Sequence, residues 1–191
     1  MSLGRSLVAA LFALGFFALA ASPAHADSYA VDPVHSAIIF GAQHMGAGYS
    51  WGRFNKFEGT FVMDDDPSKC SVQVTAQATS IDTGNENRDK DLRGPSWFNV
   101  EQFPEISFKS TKVNKTGDDM WEVTGDLVFH GVTKPITVQV KRTGMKEMRG
   151  KMRVGLMTEF HVNRNDFGMS GMPGGIGDEV RLIVALEGVK Q

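Results

Sequence analysis

Apolar and polar residues alternate with a period of two along most of this chain, which is typical of strands with one dry and one solvated face. Eight segments show the pattern, and most connections between them are short. Their apolar faces carry, in chain order, Ile38 and Phe40 with Ser36, Ala42 and His44; Phe57, Gly59, Phe61 and Met63; Val72, Val74, Ala76 and Ala78; Ile106, Phe108 and Ser110; Trp121, Val123, Gly125, Leu127 and Phe129; Ile136, Val138 and Val140; Met152, Val154, Leu156, Thr158 and Phe160; Val180, Leu182, Val184 and Leu186. Antiparallel strands read this way, whereas buried parallel strands are apolar on both faces. The pattern therefore predicts an all-β, eight-stranded antiparallel barrel, because closure removes the exposed sheet edges.

One short helix is predicted between two strands, over about residues 85–93. It is too short and too polar to form a layer of its own, and Asp82 before Thr83-Gly84 is placed to cap its start. Arg88 and Asp89 are adjacent, so they point to different sides of the helix, and a structural ion-pair role is favoured over chemistry. The apolar residues that follow are expected to plug one end of the barrel; they are Leu92, Trp97 and Phe98.

The amino terminus has the features of a secretory signal peptide. Arg5 is its only charge, an apolar run covers residues 7–21, and Ala24-His25-Ala26 has the small-x-small form of a cleavage site. A membrane span is the rival interpretation, but the run is shorter than the roughly 20 residues that a span needs. We therefore expect residues 1–26 to be a cleaved signal peptide, with a terminal helix outside the fold, and residues 27–191 to form one domain.

Composition excludes some functions and leaves others open. A formal net charge of −2 lacks the basic excess of a nucleic-acid surface. Cys70 is the only cysteine, so an internal disulfide is impossible and the domain depends on its own core. We interpret Cys70 as an inert, buried thiol.

Four sequence blocks in a fixed order carry a family resemblance. They are Asp32-Pro-Val-His35-Ser36 with Phe40-Gly-Ala-Gln-His44; the stretch from Ser80 to Ser110, with its Thr-Gly-Asn turn, charged helix and Trp97-Phe98 pair; Gly125-Asp-Leu127 to Lys134-Pro135; and Asn163-Arg164-Asn-Asp166-Phe167-Gly168. Together they span about residues 27–187, and the chain resembles the YceI-like family of secreted polyisoprenoid-binding proteins. The resemblance implies a lipocalin-like barrel with a small helix between two strands, and a long isoprenoid chain held inside.

The apolar stripes alone leave open whether the barrel is filled or hollow, because small barrels can be filled by their own side chains. Small residues on the stripes, many aromatic residues and nine internal methionines favour a cavity with adaptable walls, and the resemblance strengthens this expectation. The predicted ligand-binding residues are Phe40, His44, Phe57, Phe61, Ala76, Phe108, Trp121, Leu127, Phe129, Phe160, Arg164, Phe167 and Met169.

Several polar residues have a structural and a functional interpretation. His44 is either a hydrogen-bonded core histidine or a donor to a ligand head group. Arg164 either pairs with Asp89 or meets an anionic head group. His35 is expected to tie down a corner, and His130, in a hairpin turn, to lie on the surface. The histidines lack the close spacing of metal ligands, so no metal site is predicted.

No nucleophile with an adjacent base is recognisable, and the glycine-rich loop over residues 168–177 lacks the lysine of a phosphate-binding loop. We interpret that loop as a rim of the barrel mouth. The leading hypothesis is a carrier or scavenger of polyisoprenoid lipids, such as isoprenoid quinones, in the periplasm or outside the cell, without a cofactor. The alternatives are an enzyme acting on a lipid or small apolar metabolite inside the barrel, and a filled structural barrel. A membrane or a quinone-linked electron-transfer protein is considered as a partner, and the oligomeric state is left open, a homodimer included.

Overall fold

A computed structural model describes residues 26–191. Eleven strands and one α-helix follow one another as β1 (Asp27–Val31), β2 (Ala37–His44), β3 (Gly48–Phe54), β4 (Phe57–Met63), β5 (Ser71–Gln77), β6 (Ile81–Asp82), α1 (Glu86–Arg93), β7 (Glu105–Gly117), β8 (Met120–Phe129), β9 (Val132–Met148), β10 (Lys151–Asn163) and β11 (Ile176–Lys190). Short 3₁₀ turns cover Pro67–Lys69, Ala78–Ser80 and Arg164–Phe167. The predicted signal peptide and its helix lie outside the described residues, apart from Ala26.

The sheet closes into a barrel. Antiparallel pairing runs in the order β1-β4-β5-β7-β8-β9-β10-β11, and pairing between β1 and β11 completes a ring of eight strands. The other three strands continue from β11 in the order β2-β3-β6. The predicted all-β, antiparallel, lipocalin-like barrel with one inserted helix is therefore confirmed.

The three extra strands are continuations of ring strands. Along β11, β1 pairs at Gly188 to Lys190, and β2 pairs from Ala185 towards Ile176. The two strands thus lie end to end beside one long partner. In the same way β4 and β3 run along β1 and β2, and β5 and β6 run along β4 and β3. The barrel wall therefore has eight strand positions, and three of them are each occupied by two shorter strands joined at a bend. The predicted number of eight strands is correct for these positions.

The first bend is held by the Asp32-Pro-Val-His35-Ser36 turn. The Ser36 hydroxyl donates to the Asp32 carbonyl at 2.7 Å and accepts from the Glu187 amide at 2.8 Å. His35 Nδ1 lies 2.9 Å from an Asp32 carboxylate oxygen, which confirms its predicted role at this corner. Arg153 bridges the Asp32 and Glu187 carboxylates, so three parts of the chain are joined at the bend.

The helix α1 begins differently from the prediction. Asn85 is the N-cap, and its side chain accepts from the Arg88 amide at 3.0 Å. The prediction that Asp82 caps the helix is wrong, because Asp82 lies three residues earlier and accepts from the Gly84 amide and the Asn55 side chain. Within residues 26–191, no helix has the length and apolar character that a membrane crossing requires.

Arg88 and Asp89 have structural roles, but the predicted ion-pair role is wrong, because both form hydrogen bonds with Thr83. The buried Asp89 carboxylate accepts from the Thr83 amide at 2.8 Å and from its hydroxyl at 2.6 Å. Arg88 donates to the Thr83 hydroxyl and carbonyl, each at 2.8 Å. These bonds fix α1 against the end of β6.

Candidate functional site

A cavity of about 1040 Å³ runs through the barrel. Its mouth lies among the β2–β3 turn, α1 and the loop before β11, where His44, Leu92 and Met172 line it. Its far end is lined by Met63, Cys70 and Trp121. Its volume is at the upper end of the range for small-molecule sites, which is roughly 300–1,000 Å³.

The wall of the cavity is apolar, and its side chains are incompletely packed. Residues on the inward faces of the central strands, such as Phe108, Phe160 and Leu182, are only half-buried although they point away from bulk solvent. Side chains are densely packed in four buried clusters instead, two of which lie towards the ends of the barrel. One cluster is formed by Tyr29, Val31, Phe61, Val154 and Leu186, and the other by Ile38, Phe54, Ala76, Ala78, Ile81, Phe98 and Met169.

The second cluster confirms the predicted plug. Phe98 is buried against Phe54, with ring centroids 5.6 Å apart, and Leu92 and Trp97 pack on the same cluster. The plug closes one side of this end, where the Gly171 amide donates to the Ser96 carbonyl at 3.1 Å, and exposed residues of α1 and of the glycine-rich loop also line the cavity.

Strand glycines explain how aromatic rings and a hollow centre coexist. A Cβ on Gly125 would lie 2.5 Å from the Phe108 ring, and one on Gly52 would lie 2.3 Å from the Phe40 ring. Each ring therefore lies close over a glycine of a neighbouring strand. The space that a side chain on Gly59 would take is occupied as well, by the Gln73 carbonyl and the side chains of Val74 and Val31.

Most of the predicted ligand-binding residues line the cavity. They are Phe40, His44, Phe61, Ala76, Phe108, Trp121, Leu127, Phe129, Phe160, Arg164 and Met169. Two do not: Phe57 packs between the two end clusters, and Phe167 is buried beside Leu127, Val162 and Phe129. Whether the lining residues contact a ligand stays a prediction.

Sequence reasoning left several wall residues out of its site. Ile38, Leu182 and Val184 line the cavity and lie on the stripes that it had recognised, so their parity alone could have placed them there. Ser50 and Phe54 belong to β3, which the alternation missed. On β3 the outward positions hold Tyr49 and Trp51, so an apolar/polar period is absent.

Arg164 is a structural residue of the loop before β11. It is 1% exposed, and all five of its N–H donors are engaged. Nε donates to Gly177, the two terminal nitrogens donate to the carbonyls of Met169, Gly171 and Ile176, and one of them also pairs with Asp178 at 3.0 Å. Pairing with Asp89, one of the two alternatives for Arg164, is wrong, because Asp89 is bonded to Thr83 and Asp178 is the acidic partner. No donor remains for a head group.

The histidines occupy different surroundings from one another. His44 is exposed at the mouth, which excludes the core interpretation. His130 was expected on the surface, but its ring is half-buried, lies 4.6 Å from the Phe103 ring and bonds through Nδ1 to the Phe167 carbonyl at 2.8 Å. His130 does lie in the predicted hairpin turn, but the loop that carries Phe103 and the turn that ends at Phe167 cover its ring.

Cys70 lies at the far end of the cavity, half-buried, just before β5. Burial raises the pKa of its thiol, while the Asp64 amide donates to the sulfur and opposes this shift. The thiol is therefore protonated at neutral pH and is a poor nucleophile.

One cluster at the first bend has the composition of a metal site. Asp32, His35 and Glu187 place ligand atoms within 4.8 Å of one another. Arg153 already pairs with both carboxylates, so its positive charge occupies the position that a cation would take. The cluster is an ion-pair network that joins the turn between β1 and β2 to β10 and β11.

A hollow antiparallel barrel with an apolar cavity and a small helix beside it is a lipocalin-like barrel fold. The model of the YceI-like domain matches residues 29–188, and the chain belongs to this family. It is similar to Protein YceI of Escherichia coli (38% identical over 191 residues, 98% of each chain) and to Protein YceI of Salmonella arizonae (37% identical over 193 residues, 99% of this chain and 97% of the relative).

Two solved structures have the same fold. One is Burkholderia cenocepacia BcnA, with a TM-score of 0.72, 23% identity, and coverage of 82% of this chain and 98% of that one. The other is a polyisoprenoid-binding domain from Saccharophagus degradans, implicated in plant cell wall breakdown, with a TM-score of 0.67, 16% identity, and coverage of 85% and 98%.

Proposed function

We propose that this protein binds polyisoprenoid or other long apolar lipids in the barrel cavity and carries or sequesters them, without enzymatic chemistry. The observation that carries the proposal is the wall, where inward apolar side chains surround about 1040 Å³ and remain half-exposed to the cavity. The Saccharophagus degradans domain, described as polyisoprenoid-binding, has the same fold and supports this ligand class.

The binding energy would come from burial of the tail. Each Å² of apolar surface removed from water contributes roughly 25 cal/mol, so part of a long hydrocarbon chain is sufficient for firm binding. Rings that lie against the wall, such as Phe108 and Phe40, offer flat surfaces to alkene units without requiring a unique pose. A quinone or phosphate head group would then lie at the mouth, near His44, Arg88 and Lys90.

The polar groups of the cavity favour a carrier over an enzyme. His44, Arg88, Lys90 and Asp91 line the mouth, whereas Cys70 lies at the far end with a protonated thiol. Acid–base or nucleophilic chemistry requires such groups within hydrogen-bond reach of one another and of a reacting atom. Between these two ends the described cavity is lined mainly by apolar residues, and its polar member on the middle of β10 is Thr158, a hydroxyl without an adjacent base.

The test is native mass spectrometry of the purified protein, followed by solvent extraction and identification of the released lipid. A lipid adduct that reforms after delipidation and titration with an isoprenoid quinone is expected. Turnover of a bound lipid into a modified product would contradict the carrier proposal and support the enzyme alternative.

We also propose that the protein acts in the periplasm or outside the cell, after cleavage between Ala26 and Asp27. The signal-like sequence of residues 1–26 supports this. Amino-terminal sequencing of the exported protein should begin at Asp27, and a folded, membrane-bound form that keeps residues 1–26 would contradict it.

A further inference from the structure

The turns at the two ends of the barrel differ in how many charged residues they contain. At the far end, the turns over residues 64–69, 115–119 and 146–151 are rich in aspartate, lysine and arginine. At the mouth, residues 45–48 and 169–177 contain no charged residue. We call these two uncharged segments the methionine rim, because Met45 and Met172 are their most exposed large side chains, at 61% and 51%.

The methionine rim is one continuous surface. The Met45 amide donates to the Gly175 carbonyl at 2.7 Å, and His44 pairs with Ile176 across the two strands. The Met172 side chain folds over Gly175, where a Cβ would lie 2.8 Å from it. Both methionines have a positive φ, 51° and 49°, which L residues with long side chains rarely adopt. The turns thus hold two apolar side chains in solvent beside the cavity.

Aromatic residues extend this surface onto the outer face of β3. Tyr49 and Trp51 are exposed and stacked, with ring centroids 5.7 Å apart. Arg181 lies 5.7 Å from the Trp51 ring and pairs with Glu159. Tyrosine and tryptophan beside an apolar surface are the side chains that favour the boundary between lipid head groups and acyl chains.

The other side of the mouth is charged. Arg88, Lys90 and Asp91 of α1 line the cavity there, and the helix as a whole carries three acidic and three basic residues. The nearest acid of the methionine rim, Asp178, is neutralised by Arg164. The mouth therefore combines an apolar side, which matches the acyl boundary of a bilayer, with a side of mixed charge on which the exposed Lys90 can meet lipid phosphates.

Resting on the proposed lipid-carrier function, we propose that the methionine rim, with Tyr49 and Trp51, docks the protein on a phospholipid bilayer so that the cavity mouth faces the membrane. Met45 and Met172 enter the interface, and Lys90 meets lipid phosphates. A tail can then pass from the bilayer into the cavity without crossing water.

The experiment uses the mature protein and vesicles of phosphatidylcholine with roughly 30% phosphatidylglycerol, a composition that presents both acyl boundary and negative charge. Sedimentation with these vesicles should be reduced about tenfold in affinity by the double substitution Met45→Ser and Met172→Ser, because two apolar anchors are lost. The matched control is Met145→Ser with Met148→Ser, since these residues are 48% and 52% exposed at the opposite, charged end. The control should bind vesicles like the parent protein, and Lys90→Gln should weaken binding by about twofold to threefold.

A second measurement separates docking from cavity binding. A fluorescent isoprenoid added from dilute detergent should bind the Met45/Met172 variant normally, whereas its transfer from vesicles should slow by about tenfold. Equal vesicle binding by parent, variant and control, or no vesicle binding by the parent, overturns the docking proposal while leaving the carrier proposal intact. Loss of isoprenoid binding from detergent by the parent contradicts the carrier proposal itself. A change from dimer to monomer on light scattering in the Met45/Met172 variant alone assigns the rim to a second copy, and also overturns bilayer docking.

Discussion

At the scale of single residues, the functions of polar side chains follow from which partners the fold supplies. Arg164 lies on the cavity wall, yet all N–H groups of its guanidinium donate to four carbonyls and to Asp178. The charge of a buried guanidinium is costly unless every donor is bonded, and this one is. Arg164 therefore holds the loop that forms half of the mouth, and the Trp97 ring, 5.6 Å away, covers it.

Arg164→Ala is expected to lower the free energy of unfolding by about 2–4 kcal/mol, because several buried bonds to a charged group are lost. Urea denaturation measures this, with Arg181→Ala as the matched control. Arg181 forms an exposed surface ion pair with Glu159, so its loss should have a much smaller effect. Equal, small effects of both substitutions, together with loss of lipid binding in Arg164→Ala alone, would restore the head-group role.

At the scale of elements, bends and close-packed strands decide the shape of the interior. The turn between β1 and β2 is fastened to β10 and β11 through Asp32, Arg153 and Glu187. Flat packing of rings on strand glycines then keeps the centre open. The alternation pattern predicted one strand for each of the eight positions in the barrel wall, but it missed β1, β3 and β6. Those short segments are identified by what they pair with, which a local period does not contain.

Acid should weaken the first bend. Hydrogen bonds from His35 and from Arg153 lower the pKa of Asp32 from its ordinary value of 3.8 to about 2. A carboxyl whose pKa is lower in the folded state stabilises the fold above its unfolded pKa, and this contribution is lost as the pH falls from about 4 to about 2. Solvent screening at this partly exposed site limits the effect to about 1 kcal/mol.

The measurement is the free energy of unfolding between pH 7 and pH 2 for the parent and for Asp32→Asn. Other carboxyls titrate in the same window, so the difference between the two curves isolates Asp32. It should shrink from pH 4 to pH 2. Asp126→Asn, an exposed carboxylate on the outer face of β8, serves as the control and should run parallel to the parent. A constant offset for Asp32→Asn would show that its ionisation does not stabilise the bend.

Gly52→Ala should shrink the cavity without removing any wall residue. The added methyl group would lie 2.3 Å from Phe40, so the ring must move away from β3 towards the centre of the barrel. We expect a destabilisation of roughly 1–3 kcal/mol and weaker binding of a fluorescent isoprenoid. Gly48→Ala is the control, because it lies on the same strand and face with nothing within 4 Å. Unchanged lipid affinity in a folded Gly52→Ala protein would place the ligand elsewhere.

For the whole molecule, the alternation of apolar and polar residues was sufficient to predict a barrel. It was not sufficient to predict whether the barrel is hollow or which residues line it. Eight apolar stripes predicted the strands of the barrel wall, and the inward side of each stripe placed most wall residues correctly. Phe57 belongs to one of these stripes and Phe167 lies in the turn after β10, but both are packed into buried clusters, which the stripes do not reveal. His130, Asp82 and Arg164 were misjudged because their partners are distant in sequence or belong to loops. Family resemblance, rather than periodicity, favoured a hollow interior over a filled one.

The relative contributions of tail burial and head-group bonding to lipid affinity can be separated by substitutions at the two parts of the cavity. If burial of the tail supplies the affinity, Phe108→Ala and Trp121→Ala should each weaken binding of a fluorescent isoprenoid by about tenfold or more, because each removes a large apolar contact. His44→Ala should weaken it by less, since one head-group hydrogen bond contributes only about 0.5–1.5 kcal/mol net. Each variant is titrated after a check that it still melts cooperatively, because Phe108 also covers Gly125 and its loss leaves a gap there. Abolished binding in His44→Ala, with normal binding in both aromatic variants, would refute a tail-driven mechanism. Recognition would then occur at the mouth, and the enzyme alternative would become the stronger one.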